Sequence, residues 1–212
     1  MKHLVLVAVL LAAPAASTEE AAAGKDPFTG GSAEAGAGKA AVCGACHGPG
    51  GNSTNPEWPK LAGQHAAFTY DVLKVLKSKE RPSPVMNAQA ASLSDQDMRD
   101  LAAYFAVQKP SPGVASPAAV TAVQKLYRAG DAARGLPACS ACHGPQGAGN
   151  AAAKYPRIGG QHSKYVSLML RQYRGMAGQA FPHPGFQTMS AVAAKLTDAE
   201  IDALASYVNG LH

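Results

Sequence analysis

Two pentapeptides of the form Cys-x-x-Cys-His, at residues 43–47 and 139–143, contain all four cysteines of the chain. In a helical turn, residues i, i+3 and i+4 lie on one face. Two thiols can therefore form thioethers with the two vinyl groups along one porphyrin edge while the next residue's imidazole binds the iron. This is the attachment pattern of haem c, so the sequence predicts two covalent haems. The predicted thioether residues are Cys43, Cys46, Cys139 and Cys142, and the predicted proximal iron ligands are His47 and His143.

Other uses of these cysteines fit the sequence less well. A thioredoxin-like redox pair would follow a strand and precede a long helix, and neither is apparent. Structural zinc takes four ligands, mostly Cys and His, whereas each pentapeptide offers three. Two disulfides would suit an exported chain with four cysteines, but they would leave the repeated histidine unexplained.

Each iron also needs a sixth ligand, and the spacing of the methionines indicates which side chain supplies it. Met86 lies seven residues before Leu93, and Met189 lies seven residues before Leu196. We predict Met86 and Met189 as the ligands, each in a loop. The alternatives are the symmetric pair His65 and His162, the weaker candidate His183, and three methionines in other settings: Met98 in a helical apolar stripe, Met169 within a helix and Met176 in a loop.

The pentapeptides belong to a longer tandem repeat. They are offset by 96 residues, "PKLAGQH" and "PRIGGQH" by 97, and "SLSDQDMRDLAAYFA" and "KLTDAEIDALASYVN" by 103. The proline-rich stretch "KPSPGVASP" separates the two copies and is typical of a semi-rigid linker. We predict a domain at 18–109, a linker at 110–117 and a second domain at 118–212.

Helical signals dominate both copies, and strand signals are nearly absent, so the predicted fold class is all-α. The segments before the pentapeptides have helical composition, and further helices are expected at 65–78 and 162–174. In the last helix of each copy, Ser94 with Asp97 and Thr197 with Glu200 form capping boxes. Apolar residues then recur at i, i+3, i+4 and i+7, a helical period: Met98, Leu101, Ala102 and Phe105, and Ile201, Leu204, Ala205 and Val208.

The first 17 residues have the pattern of a secretory signal peptide. Lys2 precedes a run of ten apolar residues and then "APAAS", whose small residues suit a signal peptidase. Spanning a membrane takes about 20 apolar residues, so we predict cleavage rather than anchoring. The mature protein is therefore expected in the periplasm, where a loose peripheral association with the membrane is compatible with the sequence.

Taken together, these motifs resemble the cytochrome c4 family, over nearly the whole mature chain. The resemblance rests on two Cys-x-x-Cys-His motifs, the Pro-x-[Leu/Ile]-x-Gly-Gln stretches and a methionine before each last helix. It implies two class I cytochrome c domains related by a pseudo-twofold axis, with the haems close to their interface. It also implies that the carbonyls of Pro59 and Pro156 accept a hydrogen bond from the Nδ1–H of His47 and His143. The longer segment before Met189, "RGMAGQAFPHPGFQT", predicts that the two haem environments differ.

Ligation by His and Met leaves no open position on the iron for a substrate, and it raises the reduction potential. The sequence therefore indicates a monomeric single-electron carrier of a respiratory chain rather than an enzyme. By the family resemblance, a terminal cytochrome oxidase is the expected acceptor, and a quinol-oxidising complex or a dehydrogenase is the expected donor. The alternative is the cytochrome subunit of a dehydrogenase complex, such as a flavocytochrome sulfide dehydrogenase or an alcohol dehydrogenase. A peroxidase would need one site to lose its methionine, and the matched spacing of Met86 and Met189 argues against that.

The two copies differ in charge. Residues 18–110 hold 9 Lys and Arg against 10 Asp and Glu, a net of −1, whereas residues 111–212 hold 9 against 4, a net of +5. Because the chain is predicted to be exported and has no run of basic residues, it is not expected to bind nucleic acid. The difference in net charge between the two copies gives the molecule a charge dipole, which steers encounters with charged partners. The second domain is therefore predicted to dock an acidic partner through five basic residues within 21 positions: Lys154, Arg157, Lys164, Arg171 and Arg174.

The two pentapeptides predict a cofactor stoichiometry. Mass spectrometry of the mature protein should give the apoprotein mass plus two haems. Acid-acetone should extract neither haem, because both are held by thioethers. A single haem, or haem that acid-acetone removes, would contradict the two-site interpretation.

Overall fold

The computed structural model describes residues 25–179 and 183–212, so the predicted signal peptide lies outside the described residues. Ten α-helices account for most of the described chain. In the first copy they are α1 Ala33–Lys39, α2 Ala41–His47, α3 Ala66–Lys77, α4 Pro84–Ala91 and α5 Asp95–Val107, and in the second they are α6 Pro117–Ala129, α7 Cys139–His143, α8 Ser163–Gly175, α9 Pro184–Ala193 and α10 Asp198–Asn209.

The all-α class is confirmed for the described residues, where extended pairing is limited to two isolated bridges. Each copy packs its last helix against its first helix and against the long helix that follows the pentapeptide. In the first copy α5 contacts α1 and α3, and in the second α10 contacts α6 and α8. Helices α4 and α9, which carry the predicted methionine ligands, pack against α3 and α8 respectively.

No helix among residues 25–179 and 183–212 has the length and apolar character needed to cross a membrane.

The capping boxes predicted for the last helices are both present. The Asp97 N–H donates to Ser94 Oγ at 3.1 Å, and the Ser94 N–H donates to Asp97 Oδ2 at 2.9 Å. Thr197 and Glu200 make the corresponding pair at 3.2 and 2.9 Å. The apolar stripes that follow are buried as predicted, and Met98 belongs to this core with 4% of its surface exposed.

Two segments differ from the sequence prediction. Met86 and Met189 lie on short helices rather than in loops, because a proline at the first turn of α4 and α9 pre-sets the helical φ and alanines follow. The segment before the second pentapeptide is not one continuous helix. Helix α6 ends at Ala129 and is capped by Gly130, and a short 3-10 turn at Ala132–Arg134 follows.

A buried acidic residue joins the first and last helices of the N-terminal copy. Asp100, 3% exposed, accepts from Lys39 Nζ at 2.7 Å, from the Ser32 N–H at 2.9 Å and from Gln96 Nε2 at 2.8 Å. Burial works to raise the pKa of Asp100, but these hydrogen bonds outweigh it and hold the pKa below its ordinary value. The equivalent position in the C-terminal copy is Ala203, so this charged cluster is specific to the N-terminal copy.

Replacing Asp100 by Asn should destabilise the protein in a pH-dependent way. At neutral pH we expect a loss of about 2 kcal/mol, since the charged group makes three hydrogen bonds. Because the folded pKa is depressed, this stability is present above the ordinary pKa of 3.8 and is lost as the pH falls through the folded pKa. Urea unfolding at decreasing pH should therefore show the wild type and Asp100→Asn converging in acid.

The matched control is Glu34→Gln on exposed α1, which changes the net charge equally and should change the unfolding free energy by less than about 0.5 kcal/mol. A pH-independent difference between Asp100→Asn and the wild type would show that the cluster contributes through packing alone.

Candidate haem sites

The histidine of each pentapeptide is buried at the end of a short helix. Helices α2 and α7 stop directly after His47 and His143 because Gly48 and Gly144 adopt φ values of 74° and 76°, which favour glycine. His47 Nδ1 lies 2.9 Å from the Pro59 carbonyl oxygen, and His143 Nδ1 lies 3.0 Å from that of Pro156. Both hydrogen bonds implied by the family resemblance are therefore present.

These bonds fix the state of each imidazole. A carbonyl can only accept, so Nδ1 carries the proton and Nε2 keeps the lone pair that an iron would take. Burial lowers the pKa of His47 and His143, although the proline carbonyl works to raise it. Both imidazoles are neutral at neutral pH and are oriented as metal ligands.

The proline segments are themselves held by the loop after each pentapeptide. The Gly51 carbonyl accepts from the N–H groups of Leu61 and Ala62 at 2.7 and 3.1 Å. In the second copy the Gly147 carbonyl accepts from Ile158 and Gly159 at 2.8 and 2.9 Å. The backbone therefore positions each proline carbonyl against its histidine.

The four cysteines are half-buried, on the same helical turn as the histidine that follows them. Burial raises the pKa of Cys43, and it raises the pKa of Cys139 to about 11. Neither pair forms a disulfide. Two cysteines and a neutral imidazole on one helical turn are the donor set that covalent haem attachment requires, so the residues fit haem c.

The predicted sixth ligands occupy equivalent places in the two copies. Met86 on α4 and Met189 on α9 are half-buried, and the residue four positions later, Ala90 or Ala193, is fully buried. The connection before α9 is two residues longer than that before α4, and three of its residues, 180–182, lie outside the described part. Ligation by Met86 and Met189 remains a prediction.

The alternative ligands have other contacts. His65 and His162 begin α3 and α8, and their Nε2 atoms bond the carbonyl oxygens of Ala148 and Ser53 at 2.9 and 2.8 Å, across the boundary between the copies. His183 begins α9 beside a cleft of about 700 Å³ between the copies. Its ring stacks on Phe186 at 4.6 Å.

Met169 is engaged as well. It accepts a contact from Arg81 Nη2 at 3.1 Å, and the same nitrogen donates to the Tyr165 hydroxyl at 3.2 Å. Arg81 belongs to the N-terminal copy and Met169 to α8 of the C-terminal copy. This methionine therefore forms part of the contact between the copies.

A reciprocal pair of glutamines joins the two copies. The Gln64 side chain donates to the Arg157 carbonyl at 2.8 Å and accepts from the Arg157 N–H at 2.9 Å. Gln161 makes the same two bonds with the backbone of Lys60, both at 2.9 Å. Gln161 is the equivalent of Gln64, and Lys60 is the equivalent of Arg157, so the same contact occurs once in each direction. Such reciprocal contacts are characteristic of twofold symmetry. The sequence contained the signal, a repeated Pro-x-x-x-Gly-Gln-His, but sequence reasoning did not assign these glutamines a role.

Four of the five members of the predicted basic patch take part in ion pairs. Lys154 and Lys164 pair with Asp71 and Glu57 of the N-terminal copy at 2.9 and 2.5 Å. Two more of its members pair within the C-terminal copy, Arg171 with Asp202 at 2.9 Å and Arg174 with Asp198 at 2.5 Å. The backbone of the fifth member, Arg157, is bound by Gln64. Of these four pairs, those of Lys154 and Lys164 join the two copies, and those of Arg171 and Arg174 lie within the C-terminal copy.

The chain is similar to known cytochromes over both copies. A family model described as "Cytochrome c" matches residues 33–107 and again residues 120–212. Cytochrome c4 of Azotobacter vinelandii is 45% identical over 191 residues, which cover 86% of this chain and 90% of that protein. The crystal structure of reduced recombinant cytochrome c4 from Pseudomonas stutzeri has a TM-score of 0.81 at 44% identity, and the match covers 86% of this chain and 100% of that one.

A more distant relative has a different described role. A protein from Thiomonas intermedia (strain K12) called "Thiosulfate dehydrogenase electron acceptor" is 34% identical over 176 residues, which cover 80% of this chain and 78% of that protein.

The position of the two methionines leads to a test of iron ligation. The ferric protein should show the weak near-red band of a methionine sulfur bound to iron, and Met86→Ala or Met189→Ala should each remove about half of it. The control is Met98→Leu, which repacks the core and should leave the band unchanged. If the wild type lacks the band, or both alanine variants keep it in full, the methionine assignment is wrong.

Proposed function

Because the chain belongs to the cytochrome c4 family of electron-transfer proteins, we propose that it carries single electrons in a respiratory chain and delivers them towards a terminal cytochrome oxidase. The protein is an electron carrier rather than an enzyme, and it has two covalently bound haem c groups. A quinol-oxidising complex or a dehydrogenase is the proposed donor.

The roles of the chain's residues follow from the two sites. Haem c, when bound, supplies one reversible one-electron couple per iron. Burial keeps the imidazoles of His47 and His143 neutral, and the proline carbonyls orient them. Met86 and Met189 are the proposed sixth ligands. If His and Met side chains from the protein both bind the iron, a substrate would have no position on it, and Met/His ligation would favour a high potential. Such a site suits electron transfer alone.

The observation that carries this proposal is the reciprocal contact between the copies. Each glutamine binds the backbone of the opposite domain, at the residue that follows the proline bound to that domain's predicted histidine ligand. Two oriented sites are thereby held in a fixed relation within one chain. An electron that enters at one domain can then leave from the other without a search between separate molecules.

A revised docking surface follows from the ion pairs. Lys125 and Arg128 lie exposed on α6 of the C-terminal copy. The carbonyl of Arg128 accepts from the Ser140 hydroxyl at 3.2 Å, which places this end of α6 beside the second pentapeptide. We propose that Lys125 and Arg128 contribute to docking of an acidic partner near the second haem.

A second candidate function is electron acceptance from a sulfur-compound dehydrogenase. The relative named "Thiosulfate dehydrogenase electron acceptor" favours it over the other dehydrogenases considered from the sequence. Purification as a free protein that an oxidase oxidises rapidly supports the respiratory carrier. Isolation in a stable complex with a dehydrogenase supports the alternative.

The proposed location is the periplasm, on the basis of the basic, apolar and small-residue pattern of the first 17 residues. N-terminal sequencing of the mature protein should begin near residue 18. A mature chain that retains Met1 would contradict this proposal.

Electron transfer to a solubilised terminal oxidase should depend on the α6 charges. In stopped-flow measurements at low salt, Lys125→Glu and Arg128→Glu should each slow the second-order reaction several-fold, because they reverse charges that steer encounter. The rates of variants and wild type should converge as salt rises, since the Debye length is about 8 Å at physiological ionic strength.

The control is Lys164→Glu, which makes the same charge change at a residue paired inside the molecule and should slow the reaction less. Rates that are indifferent to salt and to both α6 reversals would show that docking uses apolar surface instead.

A further inference from the structure

One peptide unit connects each predicted iron-ligating histidine to the opposite domain. The carbonyl of Pro59 and the N–H of Lys60 belong to the same peptide group. That carbonyl accepts from His47 Nδ1 at 2.9 Å, and that N–H donates to Gln161 Oε1 of the other copy at 2.9 Å. His47 and Gln161 are therefore the two ends of one continuous hydrogen-bonded chain.

The second copy repeats the arrangement in reverse. His143 Nδ1 lies 3.0 Å from the Pro156 carbonyl oxygen, and the N–H of the same peptide group, on Arg157, donates to Gln64 Oε1 at 2.9 Å. Each glutamine thus ends the chain of hydrogen bonds that starts at the other domain's histidine.

The direction of these bonds is unambiguous. A backbone N–H can only donate and a backbone carbonyl can only accept, so the amide oxygens of Gln64 and Gln161 must face the N–H groups. Each amide oxygen also accepts the N–H of the histidine that follows it at 3.0 Å, and each amide nitrogen binds a carbonyl across the interface. Both side chains are held at every polar atom.

Resonance transmits polarisation from one end of a peptide group to the other. Partial double-bond character links the carbonyl oxygen to the N–H of the same unit, and hydrogen bonds in a chain strengthen one another. A bond accepted by glutamine from the N–H increases the negative charge on the proline carbonyl. The carbonyl then accepts more strongly from the histidine Nδ1–H, which raises the basicity of the imidazole as an iron ligand.

We propose that Gln64 and Gln161 are positioning residues that lower the reduction potential of the haem in the opposite domain. A more basic imidazole stabilises ferric iron relative to ferrous iron, so the glutamine of one domain holds down the potential of the other domain's haem. The interface between the domains therefore acts on electron transfer as well as on domain arrangement. This inference deepens the proposed function and rests on its haem ligation.

The test is a crossed pair of substitutions, Gln161→Met and Gln64→Met, in the full-length protein with both haems bound. Gln161→Met should shift the potential of the N-terminal haem upward and leave the C-terminal haem nearly unchanged, and Gln64→Met should do the reverse. Spectroelectrochemical titration measures both potentials. In proton NMR of the reduced protein, the Nδ1–H resonance of the opposite histidine, and only that one, should move upfield as its hydrogen bond weakens.

Two further variants separate this effect from loosening of the interface. Gln161→Glu keeps an oxygen that accepts the Lys60 N–H, so it should not raise the N-terminal potential. His162→Ala removes the neighbouring interdomain bond to Ser53 without touching the Pro59 peptide, so it should leave both potentials unchanged.

The inference is overturned if neither potential moves, if both potentials move together in each variant, or if His162→Ala matches Gln161→Met. The near-red band of the wild type is recorded in the same samples. Its absence would contradict the proposed methionine ligation, whereas unshifted potentials with the band intact would contradict only the role of the glutamines.

Discussion

A proline carbonyl accepts the Nδ1–H of each buried imidazole, and the geometry of the whole molecule follows from that bond. It fixes the tautomer of His47 and His143, so that Nε2 is available to a metal. To make it, the chain after each pentapeptide must return past its helix, which the Gly51 and Gly147 carbonyls enforce. The segment so placed presents its next N–H to the other domain. Ligand orientation and domain association therefore depend on the same few residues.

The interface combines a symmetric part and an asymmetric part. The glutamine and histidine bonds come from the repeated motif and occur twice. The ion pairs of Lys154 with Asp71 and of Lys164 with Glu57 each join a lysine of the second copy to an acidic residue of the first. The exposed Lys164–Glu57 pair contributes about 0–1 kcal/mol. The two ion pairs complement the charge difference between the copies, whereas the partly buried amide bonds define the alignment.

Local features of the structure could be predicted from the sequence, and non-local ones could not. Both capping boxes were recognisable because their partners lie three residues apart along the chain. The helical setting of Met86 and Met189 was missed, although a proline at the first turn of each short helix is a helix-start signal. The role of Gln64 depends on Arg157, 93 residues away, and no local pattern indicates that pairing. The ion pairs of the basic patch could not be predicted, because net charge does not distinguish paired from free side chains.

The linker explains why so few contacts suffice to hold the domains together. Lys60 Nζ donates to the carbonyls of Ser111 in the linker and Gly160 in the second copy, at 3.1 and 3.0 Å, and burial lowers its pKa. Asn52 and Asn209 bind the linker backbone from the two sides at 2.7 and 3.1 Å. A short tether that is itself bound keeps the domains at high effective concentration, so weak contacts are formed most of the time. Because the domains are covalently connected, little translational entropy is lost when they associate. The hydrogen bonds at the interface then determine its geometry. In an electron carrier that geometry matters, because it fixes the separation of the two sites and the environment of each axial histidine.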